Sequence, residues 1–307
     1  MKILVLSFSQ SGQLNNIINR ILSPLKSHFI EFVDIIPKES FPFPWSSLAF
    51  FDIMPDCVLE HPIEFSLSKE IDDSYDLVVL GSQPWFLSPS LPVTSLLKSE
   101  QFGKAVKNKP VLMISGARNM WLNAQISINK GVKAAGGKIV GNIPVCDTTN
   151  NYISAMTIVY WMFTAKKDKM FGLFTVPGVQ PKEFDKLEKY GEIIDSHIEN
   201  NDLSSLQTSL VDNGAVKVPI DILFIERKAK RIFKVWANII DKSRKKTALR
   251  RVLINLFIVY LIIALFIVAP ILLLIYYVLF LPFTIKKLNK DRKKIKMSSF
   301  ESLRRFD

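Results

Sequence analysis

Ser9, Ser11 and Gly12 are the residues of this 307-residue chain whose types and spacing best suit chemistry. They belong to the turn Ser9-Gln10-Ser11-Gly12-Gln13, which comes two residues after an apolar run from Ile3 to Leu6. Leu14, Ile17, Ile18, Ile21 and Leu22 come next with the period of a helix. Hydroxyls and backbone N–H groups gathered at a helix N-terminus suit a phosphate, and Gly12 lets the backbone come close to it. No Lys follows Gly12, so the Walker pattern is excluded, and no GxGxxG is present. A phosphate site without a cationic side chain points to a monoester held by dipoles and hydroxyls.

Two further loops share the character of the first. Strand-like runs recur at residues 28–36, 77–80, 111–114 and 138–143, with helical patterns at 13–26, 91–107 and 119–135. This alternation predicts an α/β fold, a doubly wound five-stranded parallel sheet in the order 2-1-3-4-5. Ligands of such sheets lie outside the carboxyl ends of the strands, here residues 7–13, 81–88 and 115–121. The second loop reads Gly81-Ser82-Gln83-Pro84-Trp85, and the third reads Ser115-Gly116-Ala117-Arg118-Asn119-Met120-Trp121. Trp85 and Trp121 are placed to stack on a flat ring, with backbone donors beside it. Arg118 is the catalytic candidate, a permanent cation for negative charge that develops on the ring.

These residues resemble the flavodoxin-like family of FMN proteins. Ser9-Gln10-Ser11-Gly12-Gln13 is similar to that family's phosphate loop, and the likeness covers roughly residues 1–200. Leu14 stands where the family commonly has Thr, which removes one hydroxyl donor. The resemblance implies FMN as cofactor, with cofactor-binding positions Ser9, Gln10, Ser11, Gly12, Gln13, Leu14, Gly81, Ser82, Gln83, Pro84, Trp85, Ser115, Gly116, Asn119 and Trp121. More narrowly, a Pro/aromatic insert at residues 37–63, the Arg118-Asn119-Met120-Trp121 run and the basic, hydrophobic C-terminal tail at residues 227–307 resemble bacterial proteins labelled dialkylresorcinol condensing enzymes. That implies a role in aryl-lipid synthesis, a lipophilic substrate, and ketosynthase or acyl carrier protein partners. Condensation of thioesters needs an activated Cys with His partners. Cys57, Cys146, His28, His61 and His197 show no such pattern, His61 being the best placed of the three histidines for acid–base work. A flavin site fits a different step, dehydrogenation of a cyclohexanedione-type ring to a resorcinol. Two alternatives stand beside it: a membrane-bound flavin quinone reductase or electron carrier, and a non-catalytic flavodoxin-like scaffold.

Charge divides the chain unevenly. Residues 1–226 carry 20 Lys/Arg against 24 Asp/Glu, and residues 227–307 carry 20 against 4. Positive charge confined to the C-terminal quarter argues against nucleic acid as a partner. Within that quarter, residues 252–285 contain no charge at all. As one helix this stretch would be about 51 Å long, against a hydrocarbon core of ~30 Å. Eleven Lys/Arg at 227–251 and nine at 286–307 flank it, and the positive-inside tendency asks both clusters to face one side. A hairpin broken at Pro270 satisfies both clusters, and a single tilted helix is the alternative. The expected partner is the anionic inner leaflet of a bacterial inner membrane, with the soluble domain on its cytoplasmic face.

The organisation expected is therefore a domain at 1–200 with a Pro/aromatic insert at 37–63, a linker at 201–226 and a basic amphipathic helix at 227–251. A membrane segment at 252–285 and a basic cytoplasmic tail at 286–307 complete it. The insert reads as irregular, either a lid or a patch that rests on a membrane or partner. Residues 152–174, rich in aromatics and ending in Lys166-Lys167-Asp168-Lys169, read as interfacial, lid-like or a buried helix. Two scattered cysteines imply neither a disulfide framework nor a structural metal site.

Overall fold

A computed structural model describes residues 1–297. Strand β1 (Lys2–Ser7) runs into helix α1 (Gln13–Leu22), and β2 (Phe29–Pro37) follows. The insert forms α2 (Ser47–Asp52) and α3 (Met54–Leu59), and a short β3 (Phe65–Leu67) precedes β4 (Leu77–Ser82). A hairpin of β5 (Pro84–Trp85) and β6 (Ser88–Pro89) leads to α4 (Leu91–Leu97) and α5 (Glu100–Val106). Strand β7 (Pro110–Ala117), helix α6 (Leu122–Ala134) and strand β8 (Lys138–Cys146) complete the sheet. Then come α7 (Asn151–Thr164), the single turn α8 (Pro181–Phe184), α9 (Leu187–Glu199), α10 (Leu206–Asp212) and α11 (Ile220–Asp241). The last element, α12, is one helix from Thr247 to Lys296.

The sheet has the order β3-β2-β1-β4-β7-β8. All pairings are parallel except that of β3, which lies antiparallel on β2. Without that edge strand the order is the expected 2-1-3-4-5, a flavodoxin-like doubly wound sheet. Alternate residues of each strand serve opposite faces. Ile3 and Val5 join Leu77, Val79, Leu112 and Ile114 beneath α1, α9 and α10. Leu4 and Leu6 join Val78, Leu80, Val111 and Met113 beneath α4, α5 and α6. Strands covered on both faces explain their continuous apolar runs.

Several segments differ from the sequence expectation. The helix anticipated at 91–107 is two helices, because the Ser99 hydroxyl accepts the Phe102 N–H and starts α5 afresh. The insert is partly helical: the Ser46 hydroxyl accepts the Ala49 N–H and caps α2. The anticipated linker 201–226 is not a linker. Leu206 and Leu210 of α10 are fully buried in the sheet's core, where they help cover β8. The basic helix begins earlier than expected, and α11 stops at Asp241 before α12 starts.

Residues 252–285 do not reverse at Pro270, so of the two arrangements expected the structure has the single helix. Pro270 falls at the start of a regular turn that follows a π-turn at Ala264–Val268, and the wider turn accommodates a residue that donates no N–H. Helix α12 does not stand apart from the α/β domain. Phe257 meets Phe51 of the insert with centroids 6.1 Å apart, and Phe266 meets Tyr152 of α7 at 6.1 Å. Tyr276, Leu288 and Ile295 are buried in the same core as Leu206, and the Gln207 side-chain amide donates to the Lys296 carbonyl. Of the anticipated tail 286–307, residues 298–307 lie outside the described residues.

Candidate functional site

The carboxyl ends of β1, β4 and β7 are neighbours in the sheet: Leu6 pairs with Leu80, and Ser82 with Ser115. The three predicted loops therefore meet along one edge. After β1, Gly12 takes φ 78° and begins α1, which has no side-chain cap. A left-handed residue there costs a non-glycine side chain about 1 kcal/mol or more. The uncapped first turn leaves its N–H groups for a ligand or water.

Around this turn the polar side chains take up distinct roles. Gln10 donates through Nε2 to the carbonyls of Phe41 (3.3 Å) and Pro42 (3.1 Å), which ties the loop to the insert. Gln13 accepts the Val179 N–H at 3.2 Å through Oε1. Ser9 Oγ and Gln13 Nε2 are buried and have no hydrogen-bond partner among the described residues. Neighbouring Ser11 is half-buried.

On the second and third loops the pattern repeats. Gln83 Nε2, Ser115 Oγ and Asn119 Oδ1 are also buried without partners among the described residues. Ser82, at the end of β4, is buried as well. Each buried polar atom left unmatched costs about 1–3 kcal/mol. Five of them, set on three adjoining loops, would cost a large part of the ~5–15 kcal/mol that holds a domain folded. Such a set needs a polar ligand or ordered water.

Trp85, in the second loop, belongs to the β5–β6 hairpin, whose first strand starts at Pro84. Its ring is edge-on to Phe8 (5.8 Å), Phe41 (5.1 Å) and Trp45 (5.9 Å). Phe41 and Trp45 come from the insert, which thus covers the loops as the lid-like alternative expects, and Phe8 joins them from the first loop. The run Phe41-Pro42-Phe43-Pro44-Trp45 was the available signal, and its destination depended on the fold.

Four of the cofactor-binding positions have other duties here. Trp121 is only 2% exposed and packs in the core beneath the sheet, so it does not form a second wall opposite Trp85. Leu14 is buried in the same core, facing the positions of Gly81 and Gly116. A Cβ on Gly81 would lie 2.5 Å from Ile18 Cδ1, and one on Gly116 would lie 3.2 Å from Ile17 Cδ1. Both glycines let α1 settle onto the sheet. Leu14 is apolar because its side chain points into that contact.

Arg118 donates to the Asn151 carbonyl (2.9 Å) and to Asn151 Oδ1 (2.8 Å), at the start of α7. Asn119 donates to the same Oδ1 at 2.5 Å. Loss of solvent pulls the guanidinium down to about 10, while Asp147 and Glu226 favour its charge. The catalytic candidate is thus embedded in a polar cluster of its own chain. Glu226, on α11, accepts the Asn123 N–H at 2.8 Å in the first turn of α6. Burial pushes its carboxyl up to about 8, against the opposing effect of bonds from Asn123. Lys230, one turn further along α11, donates to the Leu87 carbonyl (3.2 Å) and to Ser88 Oγ (2.5 Å). One helix therefore latches both the second loop and the helix after the third. Neither residue stood out in the sequence: Glu226 is one acid at the edge of the basic stretch and Lys230 one of its many cations.

The remaining candidates resolve as structural groups. Burial raises the Cys146 thiol to about 12 and that of Cys57 well above its ordinary value, so neither is a ready nucleophile. His28 pairs with Asp195 at 3.0 Å, and His197 bonds to the Asp202 carbonyl and Ser209 Oγ. Asp56, His61 and Asp241 come together as a metal site would, but Arg244 bridges Asp56 and Asp241 with both contacts at 2.5 Å. The arginine supplies the charge that a cation would.

No family model matches the chain, and no curated protein matches it. Among solved structures, a flavoprotein in complex with FMN from Lactobacillus acidophilus NCFM is 21% identical, with a TM-score of 0.39 over 47% of this chain and 92% of its own. A flavodoxin from the domain Archaea is 13% identical, with a TM-score of 0.37 over 65% of this chain and 99% of its own. A flavone reductase is 9% identical, with a TM-score of 0.35 over 66% of this chain and 64% of its own. Strand order and register carry the fold assignment, independently of these likenesses.

Proposed function

We propose that the protein is an FMN-dependent oxidoreductase attached to a membrane. The observation that carries the cofactor is the set Ser9 Oγ, Gln13 Nε2, Gln83 Nε2, Ser115 Oγ and Asn119 Oδ1, buried and unmatched beside an uncapped helix N-terminus. A phosphate at the first turn of α1 and a flat polar heterocycle beneath Trp85 would satisfy both halves of the set. FMN, when bound, supplies two-electron redox chemistry. The chain's own residues would bind and orient it: Ser9, Ser11 and the α1 N–H groups at the phosphate, Gln83, Ser115 and Asn119 at the ring edge. Arg118 serves by holding Asn151, whose Oδ1 also accepts from Asn119.

The aromatic surround of Phe8, Phe41, Trp45 and Trp85 suits a lipophilic ring as substrate. Dehydrogenation of a cyclohexanedione-type ring to a resorcinol is the reaction we favour, downstream of a ketosynthase that builds the ring. The attachment would use the outward face of α12, which is apolar from Val252 to Phe283. A helix that crosses a bilayer carries its ends to opposite sides of ~30 Å of hydrocarbon. Both ends of α12 touch one α/β domain, so we favour a helix sunk into one leaflet without crossing the bilayer, with both basic flanks on the same side.

Reconstitution of the purified full chain with FMN, followed by desalting, tests the cofactor. Retained flavin absorbance with quenching of tryptophan fluorescence is expected, and protein that emerges colourless with unchanged fluorescence would overturn it.

A further inference from the structure

Beyond the flavin site, the segment between α7 and α8 has an unusual surface. Phe171 is 77% exposed and Leu173 is 85% exposed, side by side at the tip of a short turn. Phe171 holds φ 54° and Gly172 φ 71°. A bulky side chain in the left-handed region is an outlier that the surrounding structure has to enforce. Here the enforced conformation displays the ring to the outside. Lys166, Lys167 and Lys169 directly precede the tip and are exposed. Lys167 lies over the Trp161 ring at 5.1 Å, and Asp168, the one acid among them, is engaged by the Tyr160 hydroxyl at 2.9 Å.

The position of this tip narrows what it can meet. Helix α7 meets α12 directly at one point and through the insert at another. Its start touches Phe266 through Tyr152, and its end reaches Phe257 through Phe163, Phe50 and Phe51. The tip follows within a few residues of the end of α7 at Thr164. Exposed apolar side chains directly preceded by three exposed lysines match an anionic bilayer in both layers of its chemistry.

We infer that the Lys166–Phe174 turn is a second membrane contact, with Phe171 and Leu173 inserted among acyl chains and the three lysines at lipid phosphates. It rests on the membrane attachment proposed above and is independent of the flavin. The contact fixes the rotation of the domain about α12, which a single helix leaves open. It also has a route to the site. Pro177, Gly178 and Val179 follow within a few residues and are buried, and Val179 donates to Gln13 in the phosphate loop.

The test uses the full chain with Leu173→Cys carrying an environment-sensitive fluorophore, and the same label at exposed Asn213 as control. Vesicles of phosphatidylglycerol with phosphatidylcholine are compared with phosphatidylcholine alone. With the anionic vesicles, the label at 173 is expected to shift to the blue and to lose iodide quenching several-fold, while the label at 213 stays unchanged. Phe171→Asp in the labelled chain is expected to reverse the shift without releasing the protein from the vesicles. Co-sedimentation with a label at 173 that remains fully quenchable would overturn the second contact and leave the attachment standing. Failure to co-sediment would overturn both. A blue shift that needs an added protein and no lipid would assign the tip to a protein partner and overturn the inference.

Discussion

Gln13 Oε1 and the Val179 N–H meet at 3.2 Å across 166 positions of sequence. The contact closes a fourth segment over the phosphate loop, beside the three loops legible in the sequence. It is possible because Gly178 adopts φ +85°, with Gln13 lying where a side chain would be.

Gly178→Ala tests that closure directly. The new Cβ would lie 2.6 Å from Gln13 Oε1 in a backbone region that L-residues avoid. Retention of FMN is expected to fall about tenfold, for a displacement worth about 1.4 kcal/mol. Flavin release followed by absorbance checks this, and an unchanged rate would detach residues 177–179 from the site.

Trp85→Ala removes the ring around which Phe8, Phe41 and Trp45 gather. FMN affinity is expected to drop by about 1–3 kcal/mol, as for loss of an aromatic stacking platform. Trp85→Phe should recover most of it. Titration of flavin fluorescence measures both variants, and equal affinity in Trp85→Ala would end the stacking role.

Glu226 predicts a pH dependence of stability. Its carboxyl rises from an ordinary 4.5 to about 8 through burial, so the folded protein holds the proton more tightly than the unfolded chain. The stabilisation is complete below pH 4.5 and is lost as pH rises through about 8. Glu226→Gln keeps an oxygen acceptor for the Asn123 N–H and removes the titration. Urea unfolding at pH 5 through 9 should show a downward slope in the parent that flattens in the variant.

Two arginines separate buried from exposed pairing. Arg250, its side chain 11% exposed, holds Asp52 through Nε to the carboxylate and Nη2 to the carbonyl at 2.8 Å. Arg244 is half-exposed in its pairs with Asp56 and Asp241. Arg250→Ala is expected to lower stability by about 1–3 kcal/mol. Arg244→Ala should cost about 1 kcal/mol or less, since solvent screens its pairs. Thermal midpoints of the two variants provide the comparison, and the reverse ranking would show that α12 is not held at its start by Asp52.

The sequence by itself determined the sheet and the edge where ligand chemistry gathers. Strands with both faces covered must be apolar throughout, and Gly12 marks a turn that only its φ permits. Those are local requirements, so the order 2-1-3-4-5 and the three loops were legible from residues 1–146. Tertiary structure decided what each loop residue does there. Gly81, Gly116 and Leu14 serve the approach of α1 to the sheet, and Trp121 fills the core, because side-chain direction at a strand end depends on the helix packed beneath. Burial of Glu226 against Asn123, and of Leu206 beneath the sheet, likewise arises only when distant segments meet. For α12 the apolar length was plain from composition alone. Its course along the domain was not, because Pro270 bends a helix or ends it according to whether a neighbouring π-turn absorbs the missing donor.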